Sequence, residues 1–184
     1  MSRLTSVLTT ADLPLAELCA ASLDGHLFRL DDCFEPVDLP HTRAQRAAAI
    51  GALWPGKFIA ERNTAAWIWG AHDTLPSHHE LCVSLGARAR PANSVRLTVR
   101  EVVIENDEYV VEGGARVTTP LRTLIDIARF TTIDDGTMTQ TLAALAHIGS
   151  ITSAQCRRAL DRRRNVPHKT LAWQRILELG LPER

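Results

Sequence analysis

Several groupings of residues in this chain of 184 have types and spacings from which chemistry is built. His78-His79, with Cys82 three positions beyond, is the nearest approach to a metal site. Adjacent residues on an extended segment point to opposite sides, so only one imidazole can join the thiol. No second cluster completes a tetrahedron, and a solvated loop beside a buried thiol is the simpler reading. Trp54, Trp67 and Trp69 carry the ring faces of a base-stacking platform. Two of them lie two apart on a short helix, which turns one toward the core and the other toward the surface, and core packing accounts for them. Arg157, Arg158, Arg162, Arg163 and Arg164 form the densest basic run. On a helix Arg157, Asp161 and Arg164 share a face, with Arg158 and Arg162 beside it. Such a run is either a solvated face or a patch for phosphates or for an acidic protein surface.

Arg122 and Asp126 are placed against local rules. A cation in the first turn of a helix opposes the dipole, and an acid four residues after a base is the weaker order for a helical pair. A partner packed over the helix start is therefore expected to hold them.

Catalytic arrangements are not found. Gly113-Gly114 lacks the strand–glycine–helix setting of a phosphate cradle, no GxSxG elbow occurs, and Asp107 and Glu108 fall in a turn rather than on strands. The expectation is a binding protein that is not an enzyme, with no cofactor and no metal.

Composition bounds the partners. The chain is 45% hydrophobic and 23% charged, ordinary for a molecule with a real core. Its 21 basic and 21 acidic residues cancel, but unevenly along the sequence. Residues 10–40 hold seven acids against Arg29 alone, and residues 157–169 hold six bases against Asp161. The four cysteines, Cys19, Cys33, Cys82 and Cys156, show no paired spacing and read as reduced core residues. Without a secretory leader or a long apolar span, the chain is expected in the cytoplasm and off the membrane.

The positioning elements follow from periodicity. Residues 9–24 read as a helix capped at Thr9/Thr10 with Pro14 in its first turn. Strands at 26–30 and 33–37 flank the turn Asp31-Asp32, and Pro36 confines the second to an edge. Residues 42–53 form a helix capped by Thr42, and Asn63 caps a short helix over 64–69 that Gly70 ends. From 80 to 118 the period becomes two. Strands are expected at 81–85, 95–100 and 116–118, with an antiparallel hairpin joining 102–104 to 109–111 across residues 105–108. Thr119 then caps a helix with Pro120 at its first position, and further helices cover 137–148, 154–164 and the segment after Pro167.

The segment Arg116 to Arg129 (RVTTPLRTLIDIAR) resembles the V-T-x-P-x-R-T-x-x-D-x-A-R signature of AbiEi-type antitoxins. Asn63 to Gly70 (NTAAWIWG) is similar to an earlier stretch of the same family. The positions carrying the likeness are Ala66, Trp67, Gly70, Pro120, Arg122, Thr123 and Asp126, read as packing positions. The resemblance implies an α+β fold: a degenerate winged-helix-like front end over residues 1–40, then an antitoxin domain over 41–184. In the latter a mixed or antiparallel sheet is flanked by helices and followed by a helical tail. It also implies a bacterial type IV toxin–antitoxin role. A cognate toxin of nucleotidyltransferase-like fold is then the partner, and duplex DNA a second partner through autoregulation. The front end is short for a full winged helix and acidic where a DNA reader needs cations.

Overall fold

The computed structural model describes residues 7–87, 95–131, 136–162 and 167–183. It is an α+β fold, as expected. The chain opens with a turn in which the backbone N–H and hydroxyl of Thr9 both donate to the Asp12 carboxylate, at 2.8 and 3.0 Å. That turn replaces the first part of the helix expected from residue 9. Helix α1 runs only over Leu15–Leu23, with Pro14 as its N-cap, a position where a missing N–H does no harm. Strands β1 (Leu27–Leu30) and β2 (Cys33–Pro36) form the expected hairpin, with Asp31 in the left-handed region at φ 57°. Leu18, Leu27 and Phe34 close a small core beneath α1.

Helix α2 (Arg43–Leu53) starts on a full capping box, in which Thr42 and Gln45 satisfy each other's backbone N–H. Strand β3 is two residues long, Ile59–Ala60. Helix α3 (Arg62–Trp69) begins one residue before Asn63, the expected cap. Its N-cap is Glu61, whose carboxylate is taken by Arg100, while the Asn63 N–H donates to Glu80. Gly70 ends α3 at φ 79°, a conformation that glycine adopts without strain.

Strands β4 (His79–Ser84), β5 (Leu97–Val102), β6 (Tyr109–Glu112) and β7 (Ala115–Thr118) join β3 in a five-stranded sheet of order β5-β4-β3-β7-β6. The sheet is mixed. β4 pairs β5 and β3 pairs β7 in parallel, whereas β3–β4 and β6–β7 are antiparallel. The hairpin expected between 102–104 and 109–111 does not form, because β5 and β6 occupy opposite edges. Residues Asn106–Glu108 make a 3-10 turn instead, capped reciprocally by Glu105 and Glu108. The hairpin that does form is β6–β7, across Gly113-Gly114. A Cβ on Gly113, at φ 52°, would collide with the Ala44 carbonyl of α2.

Helix α4 (Pro120–Phe130), capped by Thr119 with Pro120 in its first turn, packs against α3, α5 (Thr137–Ile148), α6 (Ser153–Asp161) and α7 (Lys169–Glu178). α6 is capped by Thr152 and ends short of the expected residue 164. One core fills the helical layer with Leu124, Ile127, Leu142, Leu145, Leu160 and Ile176. A second lies between the sheet and α2/α3, built on Ile50, Trp67, Leu81 and Val117. Three cysteines are buried and Cys19 is half-buried. Burial pushes the Cys33 thiol up to about 12 and that of Cys156 up to about 11, which leaves both inert as nucleophiles.

Candidate functional site

Eight consecutive residues of α4, Arg122 to Arg129, are buried, and three of them are ionisable: Arg122, Asp126 and Arg129. Burying a charge costs several kcal/mol unless it is paired and hydrogen-bonded. The pairing here is complete around Asp126. Arg122 donates from Nε to Asp126 at 2.7 Å, and Arg129 donates from Nη1 to the other carboxylate oxygen at 3.3 Å. Arg122 Nη1 also lies 2.9 Å from the Glu108 carboxylate on the 3-10 turn. This is the partner over the helix start that its position required. Burial works against the Arg122 charge, but Asp126 and Glu108 outweigh it and hold the guanidinium above its ordinary pKa. Arg129 Nε donates to the Pro167 carbonyl before α7 at 3.1 Å. Thr123 anchors the same turn, its hydroxyl 2.7 Å from that of Thr118.

Arg122, Asp126, Arg129 and Glu108 wall a cavity of about 90 Å³ together with Leu121 and Ile125, and Arg162 and Asp107 also line it. Arg162 donates to Asp107 at 2.8 Å, with both side chains 60% exposed. The cavity is thus where the motif of α4, the 3-10 turn and the end of α6 meet. A volume of this size holds about three water molecules. Its guanidinium and carboxylate groups face one another, an arrangement that fixes the relation of three elements.

On α6 Arg157 and Arg158 are exposed, as is Arg162 at its C-cap. Arg157 donates to Asp161 at 3.0 Å and lies 5.1 Å over the Trp173 ring. Lys169 reaches the same Asp161 at 2.7 Å and, with Arg157, holds that carboxyl below its ordinary value. Much of the basic run is therefore neutralised by Asp161 and Asp107. Arg163 and Arg164 lie outside the described residues.

Ala66 and Trp67 are buried, and the Trp67 carbonyl accepts from Arg46 at 2.8 Å. Trp69 is half-buried and donates from Nε1 to the Thr118 carbonyl at 2.8 Å, tying α3 to the start of α4. Trp54 packs on His79, ring centroids 4.7 Å apart. His78 and His79 diverge as the strand pleat requires. His78 meets the Thr98 hydroxyl at 2.6 Å, and His79 meets Asp31 of the hairpin turn at 2.9 Å. Among the described residues no group of His, Cys, Asp and Glu could hold a metal ion.

Three interactions were not read from sequence. Glu61 and Arg100 form a bidentate pair at 2.7 and 2.6 Å. Asp31, 2.5 Å from Arg96 and bonded to His79, fastens the hairpin to the sheet. The guanidiniums of Arg62, Arg100 and Arg129 lie 4.5, 4.8 and 4.5 Å from the centroid of Phe130. All but the contact of Arg129 with its neighbour Phe130 join residues far apart in the chain, so no local spacing signals them.

Residues 58–179, which contain α3, the whole five-stranded sheet and the α4 network, match the AbiEi antitoxin C-terminal domain family. The chain belongs to that family. The AbiEi match begins after α2 and ends at the C-cap of α7, so the buried Arg122–Asp126–Arg129 network lies wholly within it. A search of curated proteins found no match. Among solved structures, the RV2827C protein from Mycobacterium tuberculosis superposes with a TM-score of 0.51 at 16% identity, covering 94% of this chain and 70% of that one. At that identity the likeness shows a shared fold, and the share covered extends it beyond the AbiEi match into the N-terminal hairpin. Among the described residues no helix is long and apolar enough to cross a membrane.

Proposed function

We propose that this AbiEi-family chain is the antitoxin of a bacterial toxin–antitoxin pair and that it acts by binding a cognate toxin of nucleotidyltransferase-like fold rather than by catalysis. The observation that carries the reading is the family match over residues 58–179. Of its signature residues, Arg122 pairs with Asp126 and Glu108, and Thr123 bonds to Thr118, all inside the fold. Groups so engaged shape a surface and leave bond rearrangement to the partner. Co-expression of the chain with the product of the adjacent gene tests the proposal. Growth arrest by that product, relieved by the chain, is the expected result, and a toxic neighbour left unrestrained removes the reading.

The exposed arginines of α6 favour a second reading, a DNA-binding regulator in the cytoplasm. Duplex affinity would then fall steeply with salt, and each contacting arginine replaced by alanine would lower the slope by about one phosphate. Negligible duplex binding at low salt, by the native chain and by an Arg157/Arg158/Arg162→Ala variant alike, rejects it.

A further inference from the structure

Helix α1 is built against the ordinary pattern of a surface helix. Its sequence LAELCAASL is apolar almost all round, yet Leu18 is its one fully buried residue. At about 100° per residue, Leu15, Ala16, Ala20 and Leu23 fall on one face of roughly 140°, which also carries Cys19, half-buried against the core beneath the helix. Leu18 and Ala21 point the other way, onto Leu27 and Phe34. That outer face is open. Leu23 is 89% exposed, Leu15 53%, and Ala16 and Ala20 are exposed as well. A helix that is apolar on both sides belongs between two partners, and among the described residues only one is present. Val37 (54% exposed), whose N–H donates to the carbonyl of His26 just past α1, and Leu13 extend the apolar surface.

The rim is of one sign. Asp12, Glu17, Asp24 and Asp38, on α1 and on the segments that flank it in sequence, are all exposed. The single arginine of residues 10–40, Arg29, is occupied by Asp32 at 3.3 Å and by the Asp31 carbonyl. An apolar centre with a polar rim is the anatomy of a protein interface. The sign of the rim selects the occupant. Two copies meeting α1 to α1 would set these acids against each other, and a nucleic acid or anionic lipid surface would be repelled.

We infer that the outer face of α1 is a docking surface for a protein partner that presents apolar side chains ringed by lysine and arginine. Resting on the antitoxin reading above, this partner is the toxin, and the N-terminal segment holds it instead of DNA.

The test uses the full 15N-labelled chain, read by amide shift perturbation, with two probes run in parallel. One probe is the product of the adjacent gene. The other is an amphipathic helical peptide of leucine and lysine, set against its leucine–glutamate counterpart. The expected result is perturbation centred on residues 12–24 and 37–39 by the toxin and by the lysine peptide only. Leu15→Lys/Leu23→Lys, both at exposed positions that leave the fold intact, weakens both at least about tenfold. Glu17→Lys/Asp24→Lys slows association and flattens its salt dependence. Tight toxin binding with perturbations elsewhere and no effect of the leucine variant overturns the inference while the antitoxin reading stands. A toxin that does not bind at all removes the antitoxin reading. The α1 surface is then decided by the peptides, and equal or absent responses to the two overturn it. Perturbations of α1 that rise with the chain's own concentration, with sedimentation as a dimer or larger species, assign the face to a second copy and also overturn it.

Discussion

Two arginine-bearing helices, α4 and α6, use the same side chain in opposite ways. In α4, Arg122 and Arg129 are buried on either side of Asp126, and Glu108 completes the set from the 3-10 turn. In α6, Arg157, Arg158 and Arg162 stand in solvent, and Arg157 and Arg162 meet Asp161 and Asp107, which are themselves exposed. Where water is excluded, each charge depends on its neighbour, so the group behaves as a unit. Where water is present, pairing contributes little and the charge stays available to a partner. The fold therefore buries the ion pairs that depend on one another and leaves the independent ones in solvent.

The contrast can be broken most strongly at Asp126. Asp126→Ala leaves two buried guanidiniums without their shared counter-ion and should cost about 3–5 kcal/mol of unfolding free energy, measured by urea denaturation. Replacing the set with apolar residues, Arg122→Met/Asp126→Leu/Arg129→Met, should end nearer the native stability than Asp126→Ala does. A triple variant less stable than the single one would show that the network is worth more than the cost of its desolvation. Glu108→Gln, at the rim of the cavity, should cost about 1–3 kcal/mol.

A weaker effect is expected at the hairpin junction. Burial lowers the His79 pKa from its ordinary 6.5, with the Asp31 hydrogen bond partly offsetting. A histidine with a depressed folded value adds stability that is full above 6.5 and is lost as pH falls below it. Acidification from pH 7 to 5 should thus destabilise the chain, with His79 contributing at most about 1.4 kcal/mol per pH unit. Trp54 fluorescence, read beside the ring, should report the change, and His79→Gln should reduce the slope without abolishing it, since His72 is shifted in the same direction. At the far end of the scale, Arg157→Ala/Arg158→Ala should leave the thermal midpoint unchanged while reducing the salt dependence of any polyanion binding. A clear fall in the midpoint would mean that α6 is held by its ion pairs after all.

What could be read from sequence was what is decided within a few residues. The Thr119-Pro120 start of α4, the Thr42 cap and the β1–β2 turn all rest on local backbone chemistry, and all are present. The misplacement of Arg122 was also visible, because it violates a local rule. Its partner Glu108 was not, since the 3-10 turn reaches α4 only through the tertiary fold. The failed hairpin shows the same limit from the other side. Residues 105–108 have good turn chemistry and do turn, but turn chemistry does not choose which strand lies beside which, and the pairing of β6 goes to β7. Helix α1 was overextended because Thr9 reads equally as a helix cap or as the head of a side-chain turn, and the Asp12 carboxylate decides it.

Strand β3 has the largest consequence for how this molecule assembles. The ribbons β4–β5 and β6–β7 meet only through Ile59 and Ala60, which hydrogen-bond one ribbon in each direction. The nearer contact spans some twenty residues of chain and the farther more than fifty, so closing the second loop carries the larger entropy penalty. The sheet is then a keystone arch: its two halves are joined by β3 alone among the described strands, and neither is fixed to the other until two residues fall into place.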